Sequence, residues 1–172
     1  PASLLAVDYV NVALECEVAV TMAFDLEAND KGVDRDTVFD AIEHLQLAFE
    51  VVDIRKSASE NSLIQSIATN IHGAGVVLGQ PVTNWRELDI PSAKCELKLD
   101  GVSVGTGKGS DVDGHPVEPM IWIAKTLNAM GGSLKKGDIV ITGSMIPPIE
   151  VKPGMKAALQ MDLFGEITLD VK

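Results

Sequence analysis

The chain has 172 residues, enough for one domain with a real core and too few for two ordinary ones. Apolar residues make up 46% and charged residues 23%, the values of a folded globular chain rather than a disordered one. Lys and Arg number 14 against 25 Asp and Glu, and the resulting formal charge of −11 offers no basic footprint to nucleic acid or an anionic membrane. Only Cys16 and Cys95 carry thiols. A secreted disulfide scaffold is excluded on that count, and two free thiols in a reducing cytoplasm are expected. No stretch approaches the roughly 18 apolar residues of a membrane span. The first ten residues lack a basic segment and are interrupted by Asp8, so they do not read as a signal peptide. The chain opens on Pro1 rather than Met, which fits a processed protein or a piece of a longer one.

Val10 to Phe24 is rich in β-branched residues and apolar on both faces, which predicts one long buried strand or a bent pair. Glu27 to Gly32 reads as a polar loop. Asp34 or Asp36 then caps a helix running through Val38, Ile42 and Leu45, and His44 falls on its wet face. Leu47 to Ile54 is a buried strand, Arg55 to Asn61 a loop, and Leu63 to Ala68 a short helix. Gly73 to Gly79 is a compact strand, and Pro81 to Pro91 a connection. Lys94–Leu99 and Val102–Val104 flank Asp100-Gly101, a strong hairpin signal. Gly105 to Gly114 is expected to be a glycine-rich turn. His115-Pro116 opens a helix through Trp122, Ala124 and Leu127 that stops at Gly131 or Gly132. Asp138 to Thr142 is a strand, and Lys156–Asp162 with Glu166–Val171 forms a second hairpin. These elements describe a single domain over residues 1–172, α+β and β-rich, with mixed strand pairing and two or three helices.

Glu15-Cys16-Glu17 stands inside an apolar strand. Strand alternation puts both carboxylates on one face and Cys16 on the other. Two like charges beside Leu14, Val18 and Val20 are costly without a cation or strong donors. Glu50, inside LAFEVVDI, raises the same question. Three carboxylates from two buried strands suggest an oxygen-rich site for Mg²⁺ or Mn²⁺. The competing explanation is a wet sheet face, with Glu50 paired to Arg55 or a lysine. His115, before Pro116 at a helix start, reads as structural or capping. His72, near Asn70 in a glycine-rich stretch, is a candidate site residue. The run Gly105-Thr106-Gly107-Lys108-Gly109-Ser110 lacks phosphate-loop spacing and is better used lining a substrate pocket. Trp85 and Trp122 read as packing residues.

The residues ALECEVAV followed by LAFEVVDIR resemble the metal-binding strands of the fumarylacetoacetate hydrolase family, in its 2-keto-4-pentenoate hydratase branch, which also holds oxalocrotonate decarboxylases. ATNIHGAGVVLG, GVSVGTGKGSDVDGHPVEPMIWIAKTL and LKKGDIVITGS resemble further segments of that branch, in the same order. The resemblance runs from about residue 10 to the C-terminus. It implies a mixed β-roll or sandwich with surface helices, a homo-oligomer, and Glu15, Glu17 and Glu50 as ligands of Mg²⁺ or Mn²⁺. Asn70, Ser110 and Ser144 lie in the matching segments and are the implied substrate contacts.

The departures also bear on function. Val12-Ala13 stands where the branch has proline-arginine, and Gln65 and Thr69 stand where it has aspartates. The branch's lysine, set in G-Y-K-x-G upstream, has no counterpart in these 172 residues, so its role maps to no position here; His72 and Lys108 are the remaining catalytic candidates. The resemblance implies hydration of 2-hydroxy-alka-2,4-dienoates in cytoplasmic aromatic catabolism, with weak activity expected from these residues alone. Its rivals are decarboxylation of a 2-oxo-enedioate, hydrolysis of an acylpyruvate, which wants a histidine before the E-x-E pair, and a non-catalytic homologue.

Overall fold

The most apolar stretch of the sequence becomes the central strand. A computed structural model describes residues 2–26, 33–55 and 63–172. The expected loops at 27–32 and over most of 55–61 lie outside the described residues. Strand β1 (Ala2–Leu4) precedes β2 (Val12–Met22), and helix α1 (Arg35–Asp40) leads into β3 (Ile42–Asp53). Helix α2 (Leu63–Ala68) and β4 (Gly73–Leu78) follow, then the hairpin β5 (Lys94–Leu99) and β6 (Val102–Lys108), and helix α3 (Glu118–Ala129). Strands β7 (Ile139–Ile141), β8 (Ile149–Glu150), β9 (Lys156–Met161) and β10 (Gly165–Val171) complete the order.

The strands form two five-stranded sheets. One runs β1-β10-β9-β5-β6, and the other runs β4-β3-β2-β7 with β8 also on β2. The β1–β10 pair is parallel and the other described pairs are antiparallel, so the pairing is mixed as expected. Every residue of β2 except Glu15 is buried, which explains why its sequence is apolar on both faces. Leu14, Cys16, Val18 and Val20 share one continuous core with Leu45, Leu47 and Phe49 of β3 and with Cys95, Leu97, Leu159 and Leu169 of the other sheet. Each large side chain there contributes on the order of 1.5–3 kcal/mol by leaving water.

Several local expectations hold. Asp34 caps α1, its side chain accepting the Thr37 N–H at 2.8 Å. Asp100 and Gly101 take φ of 51° and 81°, the turn that matches the twist of a two-residue hairpin. Gly131, φ 81°, ends α3.

Four expectations need correction. The first helix stops at Asp40, and Ile42 and Leu45 belong to β3. Their i, i+3 spacing mimics a helix, but pairing along nearly the whole length of β2 wins. His44 consequently sits on a strand, half-buried, with Nε2 3.1 Å from Gln46 Oε1. The glycine-rich turn begins only after Lys108, because Gly105 and Gly107 are strand residues. A Cβ on Gly107 would collide with the Met145 carbonyl and one on Gly105 with Ile146, so these glycines serve close packing between chains of the fold. Finally, Trp122 is 68% exposed, whereas Trp85 is buried as expected.

Candidate metal centre

The β2–β3 register brings the three glutamates together. Glu15 pairs directly with Glu50, and Glu17 with Ala48, so all three carboxylates rise from one face of the sheet. One oxygen from each lies within 4.8 Å of the others. Octahedral ligands at 2.0–2.1 Å from a Mg²⁺ ion stand about 3–4 Å apart, so a slight contraction would satisfy such an ion. Cys16 points to the opposite face, into the core, where burial pushes its thiol far above the usual range. The donor set is therefore oxygen alone, which suits a hard cation.

The electrostatics are those of crowded, partly buried carboxylates. Burial, followed by the Glu50 charge, raises the Glu15 carboxyl to about 7. Burial and Glu17 raise Glu50. Burial also raises Glu17, which is 3% exposed, although the Gly143 N–H opposes that shift. Without a cation the cluster relieves its repulsion by keeping protons. Arg55 does not neutralise it, since that guanidinium pairs with Asp53 at 2.7 Å.

Glu17 is held by the segment after β7. Gly143 takes φ 124°, a conformation L side chains rarely adopt, and its N–H donates to Glu17 Oε2 at 2.7 Å. The segment is stitched to β2 on both sides of Glu17. Thr142 Oγ1 donates to the Val18 carbonyl at 3.0 Å, and the Met145 N–H to the Cys16 carbonyl at 2.8 Å. Ser144 Oγ accepts the Cys16 N–H at 3.0 Å and donates to the Ile146 carbonyl at 2.6 Å. Ser144 thus stands next to the cluster with its hydroxyl hydrogen already engaged by the backbone. Sequence reasoning missed Gly143; its position two residues after a short β-branched strand was the available signal.

Asn70 also borders the cluster. Asn70, Ile71 and His72 take φ of 55°, 52° and 69°, three successive left-handed residues without a glycine. Such backbone costs on the order of 1–2 kcal/mol per residue and persists where the surroundings enforce it. The turn leads into Gly73, and a Cβ built there would stand 3.2 Å from Glu50 Oε1 and 3.4 Å from Asn70 Nδ2. His72 Nδ1 lies 3.3 Å from Thr69 Oγ1.

Ser110 and Lys108 lie on the other sheet. Ser110 is in a 3₁₀ turn (Gly109–Asp111) after β6. Lys108 is exposed, aligned with Lys94, and lines a separate cavity with Asp111 and Asp162. Nothing in the structure brings either to the glutamates. His115 accepts the Val117 N–H at 3.0 Å, a capping contact, and burial and Arg35 lower its pKa.

A profile of the fumarylacetoacetate (FAA) hydrolase C-terminal family matches residues 4–172. The chain is 30% identical over 167 residues to a 2-hydroxyhexa-2,4-dienoate hydratase of Comamonas testosteroni, covering 97% of this chain and 62% of the relative. It is 31% identical over 154 residues to a 2-keto-4-pentenoate hydratase of Paraburkholderia phymatum, covering 90% and 58% respectively. The chain therefore spans about three fifths of these relatives. Among solved structures, a 4-oxalocrotonate decarboxylase from Pseudomonas putida G7, complexed with magnesium and adipate, superposes with a TM-score of 0.90. That likeness covers 99% of this chain and 64% of the other at 20% identity, and it shows a shared fold.

Proposed function

The chain belongs to the fumarylacetoacetate hydrolase family, and from that premise we propose that it is a metal-dependent hydratase of 2-hydroxy-alka-2,4-dienoates, acting in cytoplasmic aromatic catabolism as a homo-oligomer. The observation that carries the reading is the cluster of Glu15, Glu17 and Glu50, with carboxylate oxygens within 4.8 Å on one sheet face. Buried Glu17 and half-buried Glu15 and Glu50 make an all-oxygen cradle that opens on one side. These three residues would hold Mg²⁺ or Mn²⁺, which when bound supplies Lewis acidity toward the adjacent oxygens of a 2-oxo or 2-enol acid.

The chain's own groups prepare that site. The Gly143 N–H fixes the orientation of Glu17, and the Ser144 hydroxyl holds the segment that carries Gly143. Asn70 sits beside Glu50 with its side-chain amide available to a substrate oxygen. Asn70 is thus the substrate contact we retain from the resemblance, whereas the Ser144 hydroxyl is spent on the Cys16 and Ile146 backbone and Ser110 and Lys108 line no part of this face. Hydration also requires a proton delivered to carbon. His72, two residues from Asn70, is the candidate for that duty among the described residues. The two buried thiols, Cys16 and Cys95, suit a reducing compartment.

The same cradle serves decarboxylation of a 2-oxo-enedioate, because both reactions pass through an enolate next to a carboxylate. The deciding experiment offers the purified chain each substrate class with Mg²⁺ or Mn²⁺, following loss of the diene-acid absorbance and identifying the product. Water addition supports hydration. Release of CO₂ with no hydrated product transfers the assignment to the decarboxylase. Equal metal affinity in the wild type and in the Glu15→Ala, Glu17→Ala, Glu50→Ala triple variant would refute both.

A further inference from the structure

Helix α2 is inside out. Leu63 and Ile64 are 75% and 79% exposed, and Ile67 is 61% exposed, while Gln65, Ser66 and Thr69 are part-buried. Ile71, in the turn that follows, is also 61% exposed, and Ala74, Gly75 and Val76 of β4 continue the exposed run. We propose that this face is where two copies of the chain meet, α2 and the β4 edge of one copy lying against the same elements of the other across a two-fold axis. The inference rests on the homo-oligomer reading above and adds the surface and the symmetry of the contact.

The helix itself is the first ground. It has six residues and none of them is buried. A helix below about 12–15 residues is marginal in water, and in a folded protein it is held by packing its apolar side. Leu63 and Ile64 stand four and three residues before Ile67, so the three share one side of α2. That side faces outward. The contacts α2 makes inward are polar, with Thr69 Oγ1 3.0 Å from the Gln65 carbonyl and 3.3 Å from His72 Nδ1. Clustered exposed aliphatic side chains of this kind mark a surface that another molecule covers.

Charge is the second ground, and it decides the occupant. Residues 61–85 contain no Asp, Glu, Lys or Arg, the longest such run in a chain where these residues make up 23%. Two copies that each carry a formal charge of −11 repel, so a self-contact needs a face from which like charge is left out. A basic partner would be met by carboxylates, and an anionic membrane by lysines and arginines, and this run offers neither. A two-fold axis sets the patch against itself, apolar on apolar, with no second complementary surface required.

The sheet edge and the turn are the third ground. β4 ends its sheet, and its outer edge has no strand partner among the described residues. Sheet edges are ordinarily guarded by charged side chains, proline or a covering element, and β4, GAGVVL, has neither charge nor proline. A second β4 running antiparallel would use the open donors and acceptors of both copies. Between α2 and β4, Asn70, Ile71 and His72 are left-handed, a conformation that β-branched Ile71 in particular avoids. With its side chain facing outward, Ile71 is not fixed there by packing in its own chain. A second copy seated on it supplies the surroundings that such strained backbone requires.

The experiment is sedimentation of the full chain from about 1 to 100 µM, the range in which a specific pairing of this kind dissociates. The expected result is a dimer, or an even-numbered assembly of dimers, at the upper end. The double variant Ile64→Lys, Ile67→Lys should weaken self-association by about thirtyfold or more, the effect of losing central apolar contacts. Its circular dichroism should stay that of the wild type, because both side chains are exposed within the chain. Trp122→Lys, at an equally exposed apolar residue on α3, should change nothing. A second measurement is independent of that variant's folding: Ile67→Cys should link two copies on mild oxidation, since native Cys16 and Cys95 are buried. A chain that is monomeric at 100 µM overturns the proposal. So does association that survives the double variant, or Ile67→Cys that gives no link in an associated sample. Mn²⁺ calorimetry on the same samples separates the two readings: a dimer through this face that binds no metal supports this contact and refutes the metal-dependent enzyme.

Discussion

Lowering the pH should loosen the cation from this site by an amount set by the glutamate cluster. Glu15 holds its proton up to a pH of about 7, first through burial and then through the Glu50 charge. A cation needs that carboxyl ionised, so binding must displace the proton. For one such group the apparent Kd grows by the factor 1 + 10^(7−pH), about elevenfold at pH 6 and barely changed at pH 8. Glu17 and Glu50 are shifted in the same direction, so they can only steepen the dependence. Stability without metal carries the opposite sign. A carboxyl whose pKa is higher in the folded chain favours folding while protonated, below its ordinary value of 4.5, and that contribution disappears as pH rises through about 7. Taken at face value the Glu15 shift is worth about 3 kcal/mol, which solvent screening of a half-exposed group reduces to about 1–2 kcal/mol. The assay is titration calorimetry with Mn²⁺ from pH 5.5 to 8 in two buffers of different ionisation enthalpy. It should show close to one proton released per ion at pH 6 and almost none at pH 8. Pair it with urea unfolding of the metal-free chain, whose midpoint should fall between pH 5 and 7.5. A Kd that is flat across this range, with no proton release, would refute the shared-proton account of the cluster.

Saturating Mg²⁺ or Mn²⁺ at 100-fold over Kd should stabilise the fold by about 2.7 kcal/mol, read as a rise of about 5–10 °C in Tm, because the ion binds the native state alone. Glu17→Ala should abolish calorimetric metal binding, since it removes the most buried ligand of the three. Gly143→Ala should cost about 1–3 kcal/mol in urea unfolding by forcing alanine to φ 124°, and it should weaken Mn²⁺ binding as the N–H swings off Glu17. Ser144→Ala should leave the Cys16 N–H unpaired and lower stability by about 1–2 kcal/mol, while Ser144→Thr, which keeps the hydroxyl, should restore most of it.

The pairing of Glu15 with Glu17 on one face was legible because strand alternation is a strict period of two. Once residues 10–24 are a strand, Glu15 and Glu17 must share a face and Cys16 must leave it. Register was not legible: nothing in LAFEVVDI says that Glu50 stands opposite Glu15 rather than two residues along. The answer comes from pairing along the full length of β2 and β3, which also drew Ile42 and Leu45 out of the expected helix. Asp100-Gly101 and the stop at Gly131 were legible because positive φ restricts the residue choice locally.

What escaped a reading of the sequence was set by neighbours distant in the chain. Gly105 and Gly107 look like a turn until Met145 and Ile146 are seen pressing on them. Ser144 looks like a free hydroxyl until the Cys16 N–H, 128 residues away, is found on it. Gly73 looks like a strand terminus until its missing side chain is seen to face Glu50. These three cases share a cause. Glycine and serine carry little signal of their own, and their use depends on which backbone comes close. In this chain the approaching segments, 142–146 and 70–73, are those that border the carboxylates. The three carboxylates are therefore written locally in two strands, while the groups that border them are written in contacts between distant segments. It follows that substitutions in these bordering segments should weaken Mg²⁺ or Mn²⁺ binding in calorimetry while leaving the three glutamates themselves in place.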